Sequence, residues 1–175
     1  MQHEIRNRPA FANIHLHLQQ GDRIIAEADA MASMSSTIAL RTRFSGGVVR
    51  GLLRRGFGGE SMFVNEFSTE SEGELVLTQP FPGDIECLEL DGTTLFLQPG
   101  AFIACEPRVR LGLGWAGVRM AIAREGLFRL RVSGRGKVWF GAYGGIFSRE
   151  VDDEVIVDSS HLVANESTID VRPVS

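Results

Sequence analysis

The sequence has little cysteine and lysine and no long apolar run. Its two cysteines, Cys87 and Cys105, are too few for a disulfide framework or a zinc cluster, and each lies in an apolar run, so we expect two small buried hydrophobic side chains. No apolar run approaches the roughly 20 residues of a membrane-spanning helix. The N-terminal residues lack the basic region and apolar stretch of a signal peptide. These absences predict a cytoplasmic location.

Sequence motifs of enzymes are also missing. There is no G-x-S-x-G elbow, no Walker-type loop and no cysteine with an evident histidine base. Gly134 and Gly136, within 133–136, predict a hairpin turn, because no strand-to-helix unit surrounds them. Asp91 and Gly92 predict another turn. The carboxylates Asp84, Glu86 and Glu89 alternate along a predicted strand, which is typical of a solvated face. We therefore expect a protein that is not an enzyme, with no catalytic residues and no cofactor.

Two histidines form the nearest approach to a metal motif. His15 and His17 lie two apart and would project from one face of a strand, as in the H-x-H of metal-binding cupins. No glutamate follows His17 within four residues, and Ile103 stands where the last ligand would be needed. Polar residues on an exposed strand face are the preferred interpretation. A cupin-like metal-dependent enzyme is the disfavoured alternative.

What the chain does contain is many short alternating runs bounded by Gly, Pro, Asp and Ser. Such runs predict strands, and their spacing favours a β-sandwich or a short double-stranded β-helix. Only 48–57 and 117–123 carry weak helix signals, so we expect at most one or two short helices. The predicted strands cover residues 11–18, 24–28, 62–67, 74–78, 85–90, 94–97, 101–105, 127–132, 137–141, 155–158 and 161–164.

Several of these runs repeat, which indicates an internal duplication. One of the repeated segments has a third copy earlier in the chain, at 26–33. Two matched motifs in the same order predict one domain, residues 1–175, made of two β repeats at about 1–105 and 106–175. The matched segments are 60–63 with 125–128, and 97–104 with 157–164.

Arginine is concentrated in two segments, although the chain has a net charge of −4. No acidic residue lies between Asp29 and Glu60 or between Glu106 and Glu125. One interpretation is a pair of cationic loops for lipid headgroups, RNA phosphates or an acidic protein. The other is a solvated strand face beside loops that pack their aliphatic side chains on the core. The two segments hold nine of the 18 basic residues: Arg41, Arg43, Arg50, Arg54, Arg55, Arg108, Arg110, Arg119 and Arg124.

Five strings stand in order along the chain: 21–22 (GD) with 27–31 (EADAM), 57–63 (FGGESMF), 80–85 (PFPGDI), 125–128 (EGLF) and 161–164 (HLVA). Together they resemble the AIM family of bacterial and mitochondrial proteins (altered inheritance of mitochondria, number twenty-four). The resemblance implies a fold similar to the tryptophan RNA-binding attenuation protein (TRAP-like), duplicated and assembled into rings or trimers. The family has no established catalytic residues, and its mitochondrial members are linked to inner-membrane organisation.

Family members usually continue past the last of these strings with another hairpin, whereas this chain ends at Ser175. The resulting open sheet edge predicts closure by another subunit or by the N-terminal strand. We therefore expect a non-catalytic homo-oligomeric scaffold or adaptor, as a trimer, that contacts a membrane surface or an acidic protein through its Arg-rich loops. An RNA-binding ring is the alternative, disfavoured by the pI near 5.6 and the few aromatic residues.

Overall fold

The structure is a computed structural model that describes residues 1–44, 63–98, 100–115, 128–172 and 174. The described residues form strands and one 3₁₀ turn, so the predicted all-β class is confirmed. The elements are β1 (Gln2–Arg6), β2 (Asn13–Leu18), β3 (Arg23–Glu27), β4 (Met31–Met34), β5 (Ile38–Phe44), β6 (Phe63–Thr69), β7 (Gly73–Thr78), β8 (Gly83–Leu97), β9 (Phe102–Cys105), β10 (Val109–Trp115), β11 (Phe128–Tyr143), the turn Ser159–His161 and β12 (Ala164–Glu166).

The strands form two antiparallel sheets. The smaller sheet has the order β1-β2-β7-β4, and the larger has the order β12-β8-β11-β9-β3-β6-β5. β10 also pairs with β11, on the first half of that strand. The N-terminal strand β1 pairs with β2 in the smaller sheet and with no described strand of the larger one.

The first core lies between the two sheets. In β2 the side chains of Ile14, Leu16 and Leu18 point inward, because alternate residues of a strand face opposite sides. They pack in the same buried cluster as Phe67 of β6 and Trp139 of β11. Burial of each such side chain contributes about 1.5–3 kcal/mol as an upper estimate.

A second core lies on the opposite face of the larger sheet. Leu90 and Leu95 of β8 share this buried cluster, as do Val132 and Val138 of β11. Since both halves of each long strand contribute to it, the β8–β11 ribbon bends over this core. The register shift between 133 and 135 marks the bend.

The sequence signals for two turns fall on this bend. Gly92 has a φ of +84° and Gly134 a φ of +113°, which non-glycine residues rarely adopt. The predicted turns at 91–92 and 133–136 are therefore wrong as chain reversals. The strands continue through them because both long strands stay paired on either side of the bulge.

Other predictions also differ from the structure. The predicted strand 155–158 is wrong, because these residues pair with no described strand. In the predicted strand 161–164, His161 ends the 3₁₀ turn and only Ala164 belongs to a strand. The strands β1, β4, β5 and β10 lie outside the predicted strands. The two helix signals, 48–57 and 117–123, lie outside the described residues.

Cys105 is buried as predicted, whereas Cys87 is only partly buried. Cys105 is fully buried in the second core, and the half-buried Cys87 packs against the first. Burial raises the pKa of each thiol to about 12, so both are protonated at neutral pH. Both thiols are free and act as small apolar groups.

Candidate interaction surface

The arginines of β10 and β11 lie on one outer face of the larger sheet. Val132 and Leu130 of β11 point into the second core, so the alternate residues Arg129 and Arg131 point outward. In β10 the same alternation buries Val109 and exposes Arg110. Antiparallel pairing then brings the arginines of both strands to one face.

The register fixes how these side chains are arranged. Arg110 is opposite Ser133, and Arg131 is opposite Gly112, so Arg110 and Arg131 occupy diagonal positions. Such positions are about 7–8 Å apart between neighbouring strands. The exposed Arg108 lies directly before β10. We call Arg108, Arg110, Arg129 and Arg131 the Arg face.

Contacts within the Arg face leave most of its charge unpaired. Arg129 donates a hydrogen bond from Nη1 to Oδ1 of Asn165, at a distance of 2.5 Å. Arg108, Arg110 and Arg131 form no hydrogen bond or ion pair with another residue that the structure describes. The ring of Phe96 lies over Gly114, where an added Cβ would stand 2.5 Å from it. The result is a flat, cationic strand surface with one half-buried aromatic ring.

The paired positions around these arginines hold no acidic side chain. Ser133 pairs with Thr94, and Arg131 pairs with Phe96, which in turn pairs with Asn165. Among the described residues, Arg108, Arg110 and Arg131 therefore have no acidic partner on this face. Such a surface attracts an acidic ligand.

The structure places four of the nine predicted arginines. Arg41 and Arg43 lie on β5, Arg110 lies on β10 and Arg108 lies in the turn before it. The prediction that these segments are loops is therefore wrong for Arg41, Arg43 and Arg110, because the alternating residues around them pair as strands. The other five, Arg50, Arg54, Arg55, Arg119 and Arg124, lie outside the described residues.

The two arginine-rich segments do not lie on neighbouring strands. β5 pairs with β6 at the edge of the larger sheet, whereas β10 pairs with β11. Three strands, β9, β3 and β6, separate β11 from β5 in the hydrogen-bonded order. Both segments belong to antiparallel hairpins, β5–β6 and β10–β11, in the two predicted repeats. The duplication itself stays a prediction.

Sequence reasoning missed Arg129 and Arg131. They follow Glu125, where the acid-free segment ends, so a search for acid-free runs excluded them. The signal that finds them is the alternation of Phe128, Leu130 and Val132 with the two arginines. This alternation predicts an arginine-bearing outer face on a strand.

A family model described as mitochondrial biogenesis AIM24 matches residues 3–174. The chain belongs to the AIM24 family. It is 25% identical over 169 residues to an uncharacterised protein of Streptococcus pyogenes serotype M6, M6_Spy0233, covering 91% of this chain and 68% of that protein. The crystal structure of SPYM3_0169 from Streptococcus pyogenes has the same fold, with a TM-score of 0.76, 24% identity, and coverage of 97% of this chain and 77% of that one. The expected likeness to the attenuation protein stays a prediction.

A second polar surface of this AIM24-family chain lies on the outer face of the smaller sheet. His15 and His17 project from the face opposite the core, as their spacing predicted. Nδ1 of His15 lies 3.0 Å from Oε1 of Glu74, and this hydrogen bond lowers the pKa of the Glu74 carboxyl. Among the described residues there is no group of three or more His, Cys, Asp or Glu side chains placed to hold a metal ion.

The carboxylate of Asp84 is not on a solvated face, contrary to the sequence prediction. Asp84 is 3% exposed and accepts hydrogen bonds from Nε and Nη2 of Arg8, at 2.8 and 2.9 Å. Nη2 of Arg8 also donates to Glu86 over 2.8 Å. The pairing fixes the chain after β1 to the start of β8. The prediction failed because Arg8 is 76 residues away in sequence.

No helix in the described part of this AIM24-family chain has the length and apolar character needed to cross a membrane.

Proposed function

We propose that this AIM24-family protein is a non-catalytic, homo-oligomeric β scaffold, a trimer, whose Arg face binds an acidic protein surface. The observation that carries the proposal is the placement of Arg108, Arg110 and Arg131 on one exposed face without an acidic partner among the described residues. Guanidinium groups form bidentate hydrogen bonds with carboxylates. The register of β10 and β11 places several of them on one side of the sheet, within reach of an acidic surface.

Shape and composition favour a protein over a membrane or RNA as the partner. Membrane-surface binding needs large apolar side chains to insert beside the basic groups. The described rows of the Arg face offer only the half-buried ring of Phe96. Single-stranded RNA needs several exposed aromatic rings for base stacking. A carboxylate-bearing polypeptide needs neither.

Reversing two charges of the Arg face is expected to remove its affinity for carboxylates. The Arg110→Glu/Arg131→Glu variant should bind poly-L-glutamate at least about 10-fold more weakly than the unchanged protein, because two attractive contacts become repulsive. The measurement is a titration by isothermal calorimetry, repeated at two salt concentrations. Binding by the unchanged protein should weaken as salt is raised.

The matched control reverses two arginines that already have acidic partners. Arg6 is bonded to Glu4 and Arg135 to Asp91, so Arg6→Glu/Arg135→Glu makes the same change in net charge elsewhere. An equal loss of poly-L-glutamate binding in this control would show that only net charge matters and would contradict the proposal. Stronger binding to phosphatidylglycerol vesicles or to single-stranded RNA than to poly-L-glutamate would also contradict it.

A further inference from the structure

An acidic segment near the C-terminal end of the chain is exposed along its length. We call residues 147–158 the acidic arm. The side chain of Phe147 is 88% exposed and that of Ile156 is 75% exposed, and Val151 and Val157 are exposed as well. Large apolar side chains that face water in a row are typical of a surface that another chain covers.

The backbone of the acidic arm is unpaired between fixed ends. Before it, the amide of Asp84 donates to the carbonyl of Gly144 over 2.8 Å. After it, the amide of Gln98 donates to the carbonyl of Val163 over 2.8 Å. Within the described part of the chain, residues 147–157 form no backbone hydrogen bond. The arm therefore runs from the start of β8 to its end with backbone donors and acceptors that no described residue pairs, and another chain can pair them.

The charge of the acidic arm complements the Arg face. Five acidic residues and one arginine give the arm a net charge of −4, equal to that of the whole chain. The Arg face bears only arginines. Among the described residues of one copy, Arg110 and Arg131 form no ion pair with the acidic side chains of the arm, all of which are exposed. The acidic residues are Glu150, Asp152, Asp153, Glu154 and Asp158.

We infer that the acidic arm of one copy binds to the Arg face of a second copy of this chain. This inference rests on the proposed function and names the acidic protein surface in it. The arm and the Arg face are different surfaces of the same chain, so each subunit can offer its arm to one copy and its Arg face to the same copy or to another.

The spacing of the carboxylates on the arm and of the arginines on the Arg face agrees with this contact. Asp152 and Glu154 are both exposed, and two residues of extended chain span at most about 7 Å. Arg110 and Arg131 occupy diagonal positions of β10 and β11, at about 7–8 Å. Two carboxylate–guanidinium pairs can therefore form together.

Charge reversal with rescue tests the contact. At 10 µM the unchanged protein should scatter light as an oligomer rather than as the 19.2 kDa chain. The face variant Arg110→Glu/Arg131→Glu and the arm variant Asp152→Arg/Glu154→Arg should each dissociate at least about 100-fold more readily, since two ion pairs become repulsive at every contact. Combining all four substitutions in one chain restores opposite charges and should restore the oligomer.

A control and a folding check keep the outcomes distinct. Glu70→Arg/Glu72→Arg makes the same change in net charge as the arm variant at two exposed residues outside both surfaces, and it should leave the mass unchanged. Circular dichroism should show the same strand content in every variant. A monomeric unchanged protein, unchanged mass in the face or arm variant, or no rescue by the fourfold variant would each overturn the inference.

The proposed function and this inference fail in different ways. A face variant that loses poly-L-glutamate binding and keeps its oligomeric mass would overturn only the assignment of the arm as partner. A face variant that keeps poly-L-glutamate binding would overturn the proposed function. Adding free poly-L-glutamate should also dissociate the oligomer, because the polymer competes with the arm for the same arginines. Failure of that competition at saturating polymer would again count against the arm.

Discussion

The Gly83→Ala substitution is expected to destabilise the protein by about 3 kcal/mol, because the backbone of β11 leaves no space for a side chain there. A Cβ at Gly83 would stand 1.8 Å from the carbonyl oxygen of Ala142 and 2.8 Å from Nε2 of Gln79. The first of these atoms belongs to the backbone, so relief requires β8 and β11 to separate. Gly83 also bridges Phe11 and Gly144, so the same separation would disturb the base of the acidic arm.

Chemical denaturation of the two proteins measures this effect as a difference in the free energy of unfolding. The matched control is Gly145→Ala, since an added Cβ there would meet no atom within 4 Å. That control should change the free energy of unfolding by less than about 0.5 kcal/mol. If Gly83→Ala unfolds at the same denaturant concentration as the unchanged protein, the close approach of β8 and β11 is wrong.

The second large effect is expected at Asp84, where substitution by asparagine should cost about 2–3 kcal/mol at pH 7. The substitution removes the charge that Arg8 pairs with and leaves the guanidinium without its main partner. Arg8 is 39% exposed, so water compensates part of the loss, and we expect less than for a fully buried ion pair. Asparagine has a similar size, so packing changes little.

The same pair predicts a dependence on pH. Burial by itself would raise the pKa of Asp84, but hydrogen bonds from Arg8 and from the backbone amide of Ile85 outweigh it and lower the pKa below its usual value. The ionised carboxylate therefore stabilises the fold above the unfolded-state pKa of about 4, and this stabilisation is lost as the pH falls through the lower folded-state pKa. The difference between the unchanged protein and Asp84→Asn should be constant near neutral pH and shrink below about pH 4.

Denaturation at a series of pH values tests this dependence, and Asp91 supplies the control. Asp91 pairs with Arg135, and both side chains are largely exposed, so Asp91→Asn should change stability by less than about 0.5 kcal/mol at every pH. Equal effects of the two substitutions would mean that burial at Asp84 has no energetic consequence. A difference that grows toward acid would contradict the direction of the pKa shift.

These two residues connect stability to the proposed assembly. Gly83 and Asp84 hold the point where the chain leaves β11, and the amide of Ile146 donates to the Asp84 carboxylate. Loosening this point would displace the start of the acidic arm. Light scattering of the Asp84→Asn protein would therefore show whether the arm must be fixed for subunits to associate.

The local alternation of apolar and polar residues predicts part of the fold. The run from Phe11 to Leu18 predicts a strand with its histidines outside, and β2 has that arrangement. The same rule, applied to Arg129 and Arg131, gives the orientation of half of the Arg face. A strand alternates because its neighbouring side chains must point to opposite sides, and this constraint is present in any short segment.

The rest of the fold depends on pairing between residues that are distant in sequence. The segment 155–158 is as rich in branched residues as any strand of the core, yet no other described strand pairs with it. Asp84 alternates like a surface residue, but Arg8 pairs with it from the other end of the chain. Gly92 and Gly134 resemble turn residues, although they form the bend of a paired ribbon.

The sequence by itself determined an all-β chain, its two thiols, the outward face of the histidines on β2 and the arginine-rich composition of two segments. These properties depend on side-chain chemistry and on a period of two residues, both of which are local. Only the tertiary structure brought Arg110 beside Arg131, buried Asp84 against Arg8 and left the acidic arm without a strand partner. Each of these depends on which distant strands pair, and pairing is set by the free energy of the whole core.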